Sequence, residues 1–540
     1  MISGISKNIT DYLFGFAEAN PDKPAFLHPV RISFCEFCSL IEKYAGSFLN
    51  SGIVKGTRTV VLVSPGVDLF AITYALLRIG AVPVMIDPGM GIRNMANALS
   101  KTGAKAFIGI PRAHLLRILY PKSFYSVDLI FIKGSNAFFK GIDYQKFKKL
   151  QNHISEACQA DPEDDIAVFF TSGSTGPAKA VIYKHRMLEA QIRYLKEHFR
   201  YDPDGIDICT FPLISMLAVS IGLSVVFADM DMTHPARLDP FRLFNNIRLF
   251  SCTNMFCSPM VLQKLTDYCN TNNIILPSLK RIYTAGAPVK PVLLKMFRKV
   301  ISEETVIHVP FGATEALSIT DITDVELNRI YPESNDPDFS FCLGSPLENI
   351  DIEIIKITDK PIEYREDAEV LLHGNVGEIV VKGPNVTQQY LANDYANAIS
   401  KIQDKSSGLF WHRTGDLGKL DKSGRLWYYG RKSQRVVTDK KTLFTIPCEA
   451  VFNQHPRVER SALVGIDLNG HIIPVICIEL KKGVKGSAGM KEELLILAGK
   501  NEWSEMIDHV LFHRKFPVDP RHNAKIYREK LALWAQKQIR

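Results

Sequence analysis

The sequence predicts an α/β protein. It should have a large amino-terminal region built on parallel sheets, a β-rich segment after it, and a small basic carboxy-terminal region. Three observations carry this reading. The first half alternates short β-branched runs with segments of helical spacing, the pattern of β-α-β units. After about Cys342 the texture changes to short strands separated by turns. From Gly430-Arg431 onward the charge is strongly positive: residues 431–540 hold 20 Lys+Arg against 12 Asp+Glu, whereas the preceding part balances at 45 against 45.

In chain order, Thr59–Ser64 (TVVLVS) predicts a strand and Val67–Ile79 a helix, and Val82–Ile86 returns as a strand before Asp87-Pro88. Ile92–Leu99 has helical spacing and leads into the strand Ala106–Ile110. Asp165–Phe170 (DIAVFF) predicts a buried strand running into a glycine-rich loop. Beyond that loop Leu188, Ile192, Leu195 and Phe199 fall on one helix face, so the loop is expected to join a strand to a helix. Further strands are expected at Arg281–Thr284, Val306–Val309, Ile350–Ile355, Gly377–Val381 and Leu426–Tyr429.

At 540 residues the chain exceeds one ordinary core. Its 46% hydrophobic and 23% charged residues match a globular protein. The longest apolar run, Ile214–Ala228, is interrupted by serines and too short for a bilayer, so it reads as core or pocket wall. The amino-terminal residues lack the basic region and long apolar stretch of a signal peptide, which leads us to expect a cytoplasmic protein. Ten scattered cysteines suit reduced thiols, and the lone Cys35/Cys38 pair has no second pair to complete a metal site. The positive charges are dispersed and no nucleic-acid-binding signature accompanies them, so nucleic acid is not an expected partner.

Four motifs carry chemistry. The loop Thr171, Ser172, Gly173, Ser174, Thr175, Gly176, Pro177, Ala178, Lys179 packs hydroxyls, glycines and a lysine where a backbone can close on phosphate oxygens. It lacks the Walker A spacing, which argues against an ordinary phosphoryl-transferring ATPase or kinase. Phe311-Gly312-Ala313-Thr314-Glu315 offers a carboxylate suited to Mg²⁺ held between phosphates, with Thr314 lining the same site. His412–Asp416 (HRTGD) ends in a carboxylate that can accept both ribose hydroxyls. Lys525, in a loop between Pro517 and Pro520 and a helix suggested by Leu531, Leu533 and Trp534, can deliver one cation into a cleft.

Read together, these motifs resemble the adenylate-forming superfamily of acyl-CoA synthetases, peptide-synthetase adenylation domains and luciferases. Ala285-Gly286-Ala287-Pro288, Gly344-Ser345-Pro346 and GEIVVKGPNVTQQY from Gly377 extend the resemblance over nearly the whole chain. It implies an acyl-CoA synthetase-like architecture, with an AMP-binding domain over 1–430, its β-rich subdomain about 342–430, and a small mobile α+β domain over 431–540 swinging near Ser433. It also implies ATP and Mg²⁺ as cofactors and small-molecule acids as substrates. The Thr171–Lys179 loop would grip the β- and γ-phosphates, and Glu315 would bind Mg²⁺. Ala285, Gly286, Ala287 and Phe311 would line the adenine site, with Gly312 and Thr314 beside it. Asp416 would bind ribose with Arg431 near it, and Lys525 would bridge carboxylate and α-phosphate.

Within the superfamily, PVDPRHNAKIYREKLALWA, VFADMDMTHPA (Val226–Ala236) and GRKSQRV (Gly430–Val436) are similar to the β-lactone synthetases of bacterial olefin biosynthesis. That similarity implies association with other enzymes of the same pathway. Where CoA ligases carry Asp or Lys at the hinge, Ser433 stands here, and Arg435–Ile446 lacks the glycine loop that lines the thiol's route. CoA is therefore the alternative acceptor. The expected reaction is adenylation of a β-hydroxy fatty acid followed by closure to a β-lactone. The alternatives are a fatty acyl-CoA ligase, a phosphoryl-transferring enzyme or a nucleotide binder without turnover. His185 or His308 is expected to assist proton removal, and Phe211–Phe227 to line the acyl pocket.

Overall fold

The computed structural model describes residues 7–539 apart from 135–140, 144–153, 155, 172–177, 332–339 and 519–525. It contains two compact units. The first comprises 1–286, 293–319 and 383–401; the second comprises 287–292, 320–382 and 402–540.

The first unit holds two seven-stranded sheets. One runs in the order 142–143, 129–132, 106–109, 58–62, 82–85, 165–170, 180–184, parallel throughout except for its last pair. The other runs 306–308, 281–284, 254–257, 206–209, 224–227, 24–28, 32–33, also parallel except at its last pair. Strands buried on both faces, such as Val82–Met85 and Ala106–Gly109, read as continuous apolar runs because helices cover both sides. The helix Phe34–Asn50 starts where Ser33 and Glu36 exchange reciprocal cap bonds, and it carries Cys35 and Cys38 as free thiols.

One expectation is corrected. The glycine-rich loop does not lead into a helix. It joins Asp165–Phe170 to an antiparallel strand, Ala180–Lys184, and the helix begins only at His185. Val181, Ile182 and Tyr183 form a short β-branched and aromatic run that favours a strand, and the helical periodicity starts just after it. The helix face itself is as expected, with Leu188, Ile192, Leu195 and Phe199 all buried, although the last turn widens to a π-turn at Tyr194–His198. The segment after the loop is thus a strand, and the helix that follows begins five residues further on, at His185.

The apolar run splits into the helix Pro212–Ser220 and the strand Ser224–Phe227, both largely buried. Among the described residues no helix is long and apolar enough to cross a membrane.

In the second unit, strands 341–346, 426–431, 410–420, 377–382 and 351–355 form an antiparallel array in that order. A three-stranded sheet follows: Val458–Leu468 and His471–Leu480 are antiparallel, and His509–Phe512 adds in parallel. Its side chains alternate. Leu463, Ile476 and Ile478 pack with the helices Thr445–Asn453 and Ala488–Gly499, while Ala462, Val464, Val475 and Cys477 pack with the helix Arg528–Ile539. That last helix is held by Leu531, which is fully buried, and by Trp534, whereas the expected anchor Leu533 is exposed.

Candidate functional site

The residues of the first unit converge on the turn Thr314-Glu315. The strands Phe311–Ala313 and Ala316–Asp321 flank it, so Glu315 sits at a hairpin turn. The close approach at Gly312 explains its glycine: an added Cβ would lie 2.8 Å from the Ala316 carbonyl oxygen. The backbone behind the turn is tied down on two sides. The Tyr183 hydroxyl donates to the Thr314 carbonyl at 2.8 Å, and the Thr387 amide donates to the Glu315 carbonyl at 2.9 Å.

The Glu315 carboxylate is half-buried. Its Oε1 accepts the Tyr390 hydroxyl at 2.8 Å, and among the described residues its other oxygen accepts no hydrogen bond. A hard carboxylate oxygen with one arm fixed and the other available fits Mg²⁺, which takes one or two carboxylates and completes its shell with phosphate and water oxygens. Lys179 Nζ lies 4.9 Å from the centroid of the same Tyr390 ring. Tyr390 thus joins the base of the glycine-rich loop to the acidic turn. The loop's neck is closed by the Thr171 amide on the Lys179 carbonyl (3.0 Å) and the Lys179 amide on Thr171 Oγ1 (3.3 Å). Ser172, Gly173, Ser174, Thr175 and Gly176 lie outside the described residues.

Beneath Tyr390 is Lys401, only 6% exposed. Its Nζ donates to the Thr387 carbonyl at 2.5 Å and lies 5.4 Å from the Tyr390 centroid. Burial pushes this amine down to about 7, against the pull of the Glu315 charge.

Ala285 and Gly286 follow the carboxyl end of the strand Arg281–Thr284, and Gly286 takes a left-handed φ of +90° with open space where a Cβ would stand. Tyr283 pairs with His308 in parallel register, so both strands end on this side. His308 stacks on Tyr283 at 5.2 Å. His185 is elsewhere. It follows Lys184, which pairs with Asp165 at the end of the strand pair opposite the Phe170–Ala180 pair that adjoins the loop. Its Nε2 accepts the Ile9 amide at 3.0 Å and burial lowers its basicity, so it stands apart from the residues around Glu315.

The second unit carries Ala287, Asp416 and Arg431. HRTGD lies within the strand Phe410–Leu420, and Gly415 supplies the positive φ of +70° that turns Asp416. Asp416 is buried, pairs in register with Arg431, and meets its Nε at 3.1 Å. The neighbouring Arg413 is locked by Glu378, its Nε donating to Oε2 at 3.1 Å, and both side chains are only 1% exposed. Lys432 Nζ reaches the other Glu378 oxygen at 3.0 Å. Arg528, three positions beyond Lys525, forks onto both Glu449 oxygens at 2.7 and 2.8 Å and reaches Gln434 Oε1 at 3.2 Å. Lys525 itself lies outside the described residues. Tyr390, Lys401, Glu378 and Glu449 escaped the motif reading. Tyr390 and Glu378 do end and nearly begin the quoted segment GEIVVKGPNVTQQY, but nothing local marks Lys401.

Comparison with known proteins identifies the family and the fold. The family model described as AMP-binding enzyme matches residues 13–391. The olefin β-lactone synthetase of Stenotrophomonas maltophilia (strain K279a) is 36% identical over 516 residues, covering 95% of this chain and 92% of that one. The olefin β-lactone synthetase of Xanthomonas campestris pv. campestris is 35% identical over 549 residues, covering 98% of each. The fold is shared with the amide bond synthetase McbA from Marinactinospora thermotolerans (TM-score 0.77, 20% identity, 98% and 99% coverage). It is likewise shared with O-succinylbenzoate coenzyme A synthetase from Bacillus subtilis, whose structure was solved with ATP and a magnesium ion (TM-score 0.76, 20% identity, 96% and 98% coverage). The family match over residues 13–391 and the near-full-length kinship show that this chain belongs to the AMP-binding enzyme family of adenylate-forming ligases.

Proposed function

We propose that this enzyme converts a β-hydroxy fatty acid to a β-lactone in two steps. The observation that carries this reading is the near-full-length similarity to two olefin β-lactone synthetases. In the first step a carboxylate oxygen of the acid forms a bond to the ATP α-phosphorus, and the bond from that phosphorus to the bridging oxygen breaks. Pyrophosphate leaves and acyl-AMP remains. The glycine-rich loop and Lys179 hold the outer phosphates, while Ala285, Gly286, Ala287 and Phe311 line the adenine. Asp416, braced by Arg431, accepts the ribose hydroxyls. Lys525 neutralises charge between the carboxylate and the α-phosphate. Mg²⁺, when bound at Glu315, supplies charge neutralisation on the phosphates.

In the second step the substrate's own β-hydroxyl oxygen bonds to the acyl carbon. The acyl–phosphate C–O bond breaks, AMP departs, and the hydroxyl proton passes to a base, for which His308 stands at the carboxyl end of its sheet. The attack is intramolecular, so orientation substitutes for a second substrate. The domain over 431–540 would move about Ser433 to present Lys525, and Arg528, clamped on Glu449, fixes the start of the helix behind it.

Pyrophosphate exchange into ATP, screened over plain and β-hydroxylated fatty acids without CoA, tests the first step. Identification of a β-lactone among the products tests the second. A thioester formed only when CoA is added would favour the acyl-CoA ligase reading. Release of orthophosphate without pyrophosphate would end both. Lys525→Ala should abolish the exchange and leave ATP binding by calorimetry largely intact; exchange at the parent rate would remove Lys525 from its role.

A further inference from the structure

We propose that Lys401 is a positioning residue for adenylation: it anchors the strap formed by residues 383–401, and through Tyr390 it holds the Glu315 carboxylate aimed for the nucleotide-bound cation. The inference rests on the adenylation reading above and adds a residue to it.

The strap leaves the second unit, lies along the first, and returns to the second just after Lys401. It docks on the edge strand Ala180–Lys184 and on the strand that follows Glu315. Val181 bridges Tyr390, and Ala316 bridges Val386. The Leu391 amide donates to the Ala180 carbonyl at 2.8 Å, and Thr387 Oγ1 donates to the Ile182 carbonyl at 2.7 Å. Asn385 Nδ2 donates to the Ser318 carbonyl at 2.7 Å, and Arg186 Nη1 to the Pro384 carbonyl at 2.6 Å. These bonds fix the backbone of the strap. The Tyr390 ring is itself buried, and Lys179 and Lys401 set their amines over it. Lys179 belongs to the phosphate loop, so Lys401 is the amine that can hold the ring whether or not phosphate is bound.

A buried lysine is a poor way to stabilise a fold, and an apolar chain of similar length ordinarily serves better. A purely structural Lys401 therefore predicts that Lys401→Met is neutral or stabilising and leaves activity alone. A positioning role predicts a split, with stability kept and cation handling lost.

The experiment uses the full chain and Mn²⁺ as the paramagnetic probe. Lys401→Met should unfold at or above the parent temperature. Its half-saturating Mn²⁺ in the presence of ATP should rise about 10-fold or more, and its maximal pyrophosphate exchange should fall about 10- to 100-fold, the usual span for residues that orient a metal ligand. The KM for ATP should change much less. Tyr390→Phe, which keeps the ring and removes the hydroxyl, should reproduce the Mn²⁺ effect, and the double variant should add little to either single one. Parent-level Mn²⁺ affinity and exchange in Lys401→Met overturn the proposal; if that variant does not fold, parent-level Mn²⁺ affinity in Tyr390→Phe overturns it. Glu315→Gln separates the two layers. If it weakens Mn²⁺ binding and exchange while Lys401→Met does neither, only the role of Lys401 falls. If it too changes nothing, the cation site at Glu315 falls with it.

Discussion

Glu315 and Glu378 come from equally plain stretches of sequence, and the molecule treats them in opposite ways. Glu378 is fully buried and saturated: Arg413 and Lys432 both reach it, and Arg413 also donates to the carbonyls of Lys360 and Thr358. Glu315 is half-buried and holds one hydroxyl, that of Tyr390. A carboxylate that serves the fold has its charge spent inside it. The Glu315 carboxylate is oriented from one side by Tyr390, the arrangement that the proposed cation site calls for.

The contrast can be broken most forcefully at Glu378. Glu378→Gln removes the carboxylate that both Arg413 and Lys432 reach, and loss of one partner from a buried pair costs about 3–5 kcal/mol. Urea unfolding should show that loss, and an unchanged midpoint would mean that the cluster does not support the fold. Glu315→Gln should behave in reverse. Its unfolding midpoint should stay with the parent, while pyrophosphate exchange drops about 10²–10³-fold, the scale for a missing electrostatic contact to a reacting centre. A drop in stability with exchange intact would exchange the roles assigned to the two glutamates.

A third carboxylate sharpens the comparison with the smallest effect. Asp207 is buried in the middle of its strand with one hydroxyl donor, Ser215 Oγ at 2.6 Å, and burial pushes its acid up to about 7. Below about pH 4 both folded and unfolded states hold its proton. As pH rises toward 7 the unfolded state loses the proton first, so this group's contribution to stability falls through that window. Asp207→Asn does not titrate. It should therefore gain stability over the parent at pH 8, with the gain shrinking toward pH 4. Thermal unfolding at the two pH values checks this, and a gain that does not vary with pH would rule out the buried acid as its source.

Much of the scaffold was legible because it is written locally. Asp165–Phe170 and Arg281–Thr284 form strands over the residues expected, since β-branched and aromatic runs bounded by turn residues specify their own conformation. The misreading after the phosphate loop has a local cause too. Five residues of strand precede the helix, and the strong helical period beyond them masked so short a run. Glu315, Asp416 and Lys179 drew notice as candidates because in them chemistry and motif coincide. Tyr390 reaches Glu315 across 75 positions and Arg413 reaches Glu378 across 35, and no period or turn signal encodes partners so far apart. Lys401 was the least legible of all. In sequence it is one lysine near the end of a polar stretch, and its burial emerges only when the strap closes on the first unit.

The strap also sets an order of events for a chain emerging from the ribosome. The edge strand Ala180–Lys184 is synthesised early, yet the hydroxyl that seals Ile182 belongs to Thr387, 205 positions later. For that interval a nascent chain carries an unguarded β-edge after its glycine-rich loop. A truncation that stops before residue 383 would make the exposure permanent, and such a fragment should self-associate more readily than the whole chain.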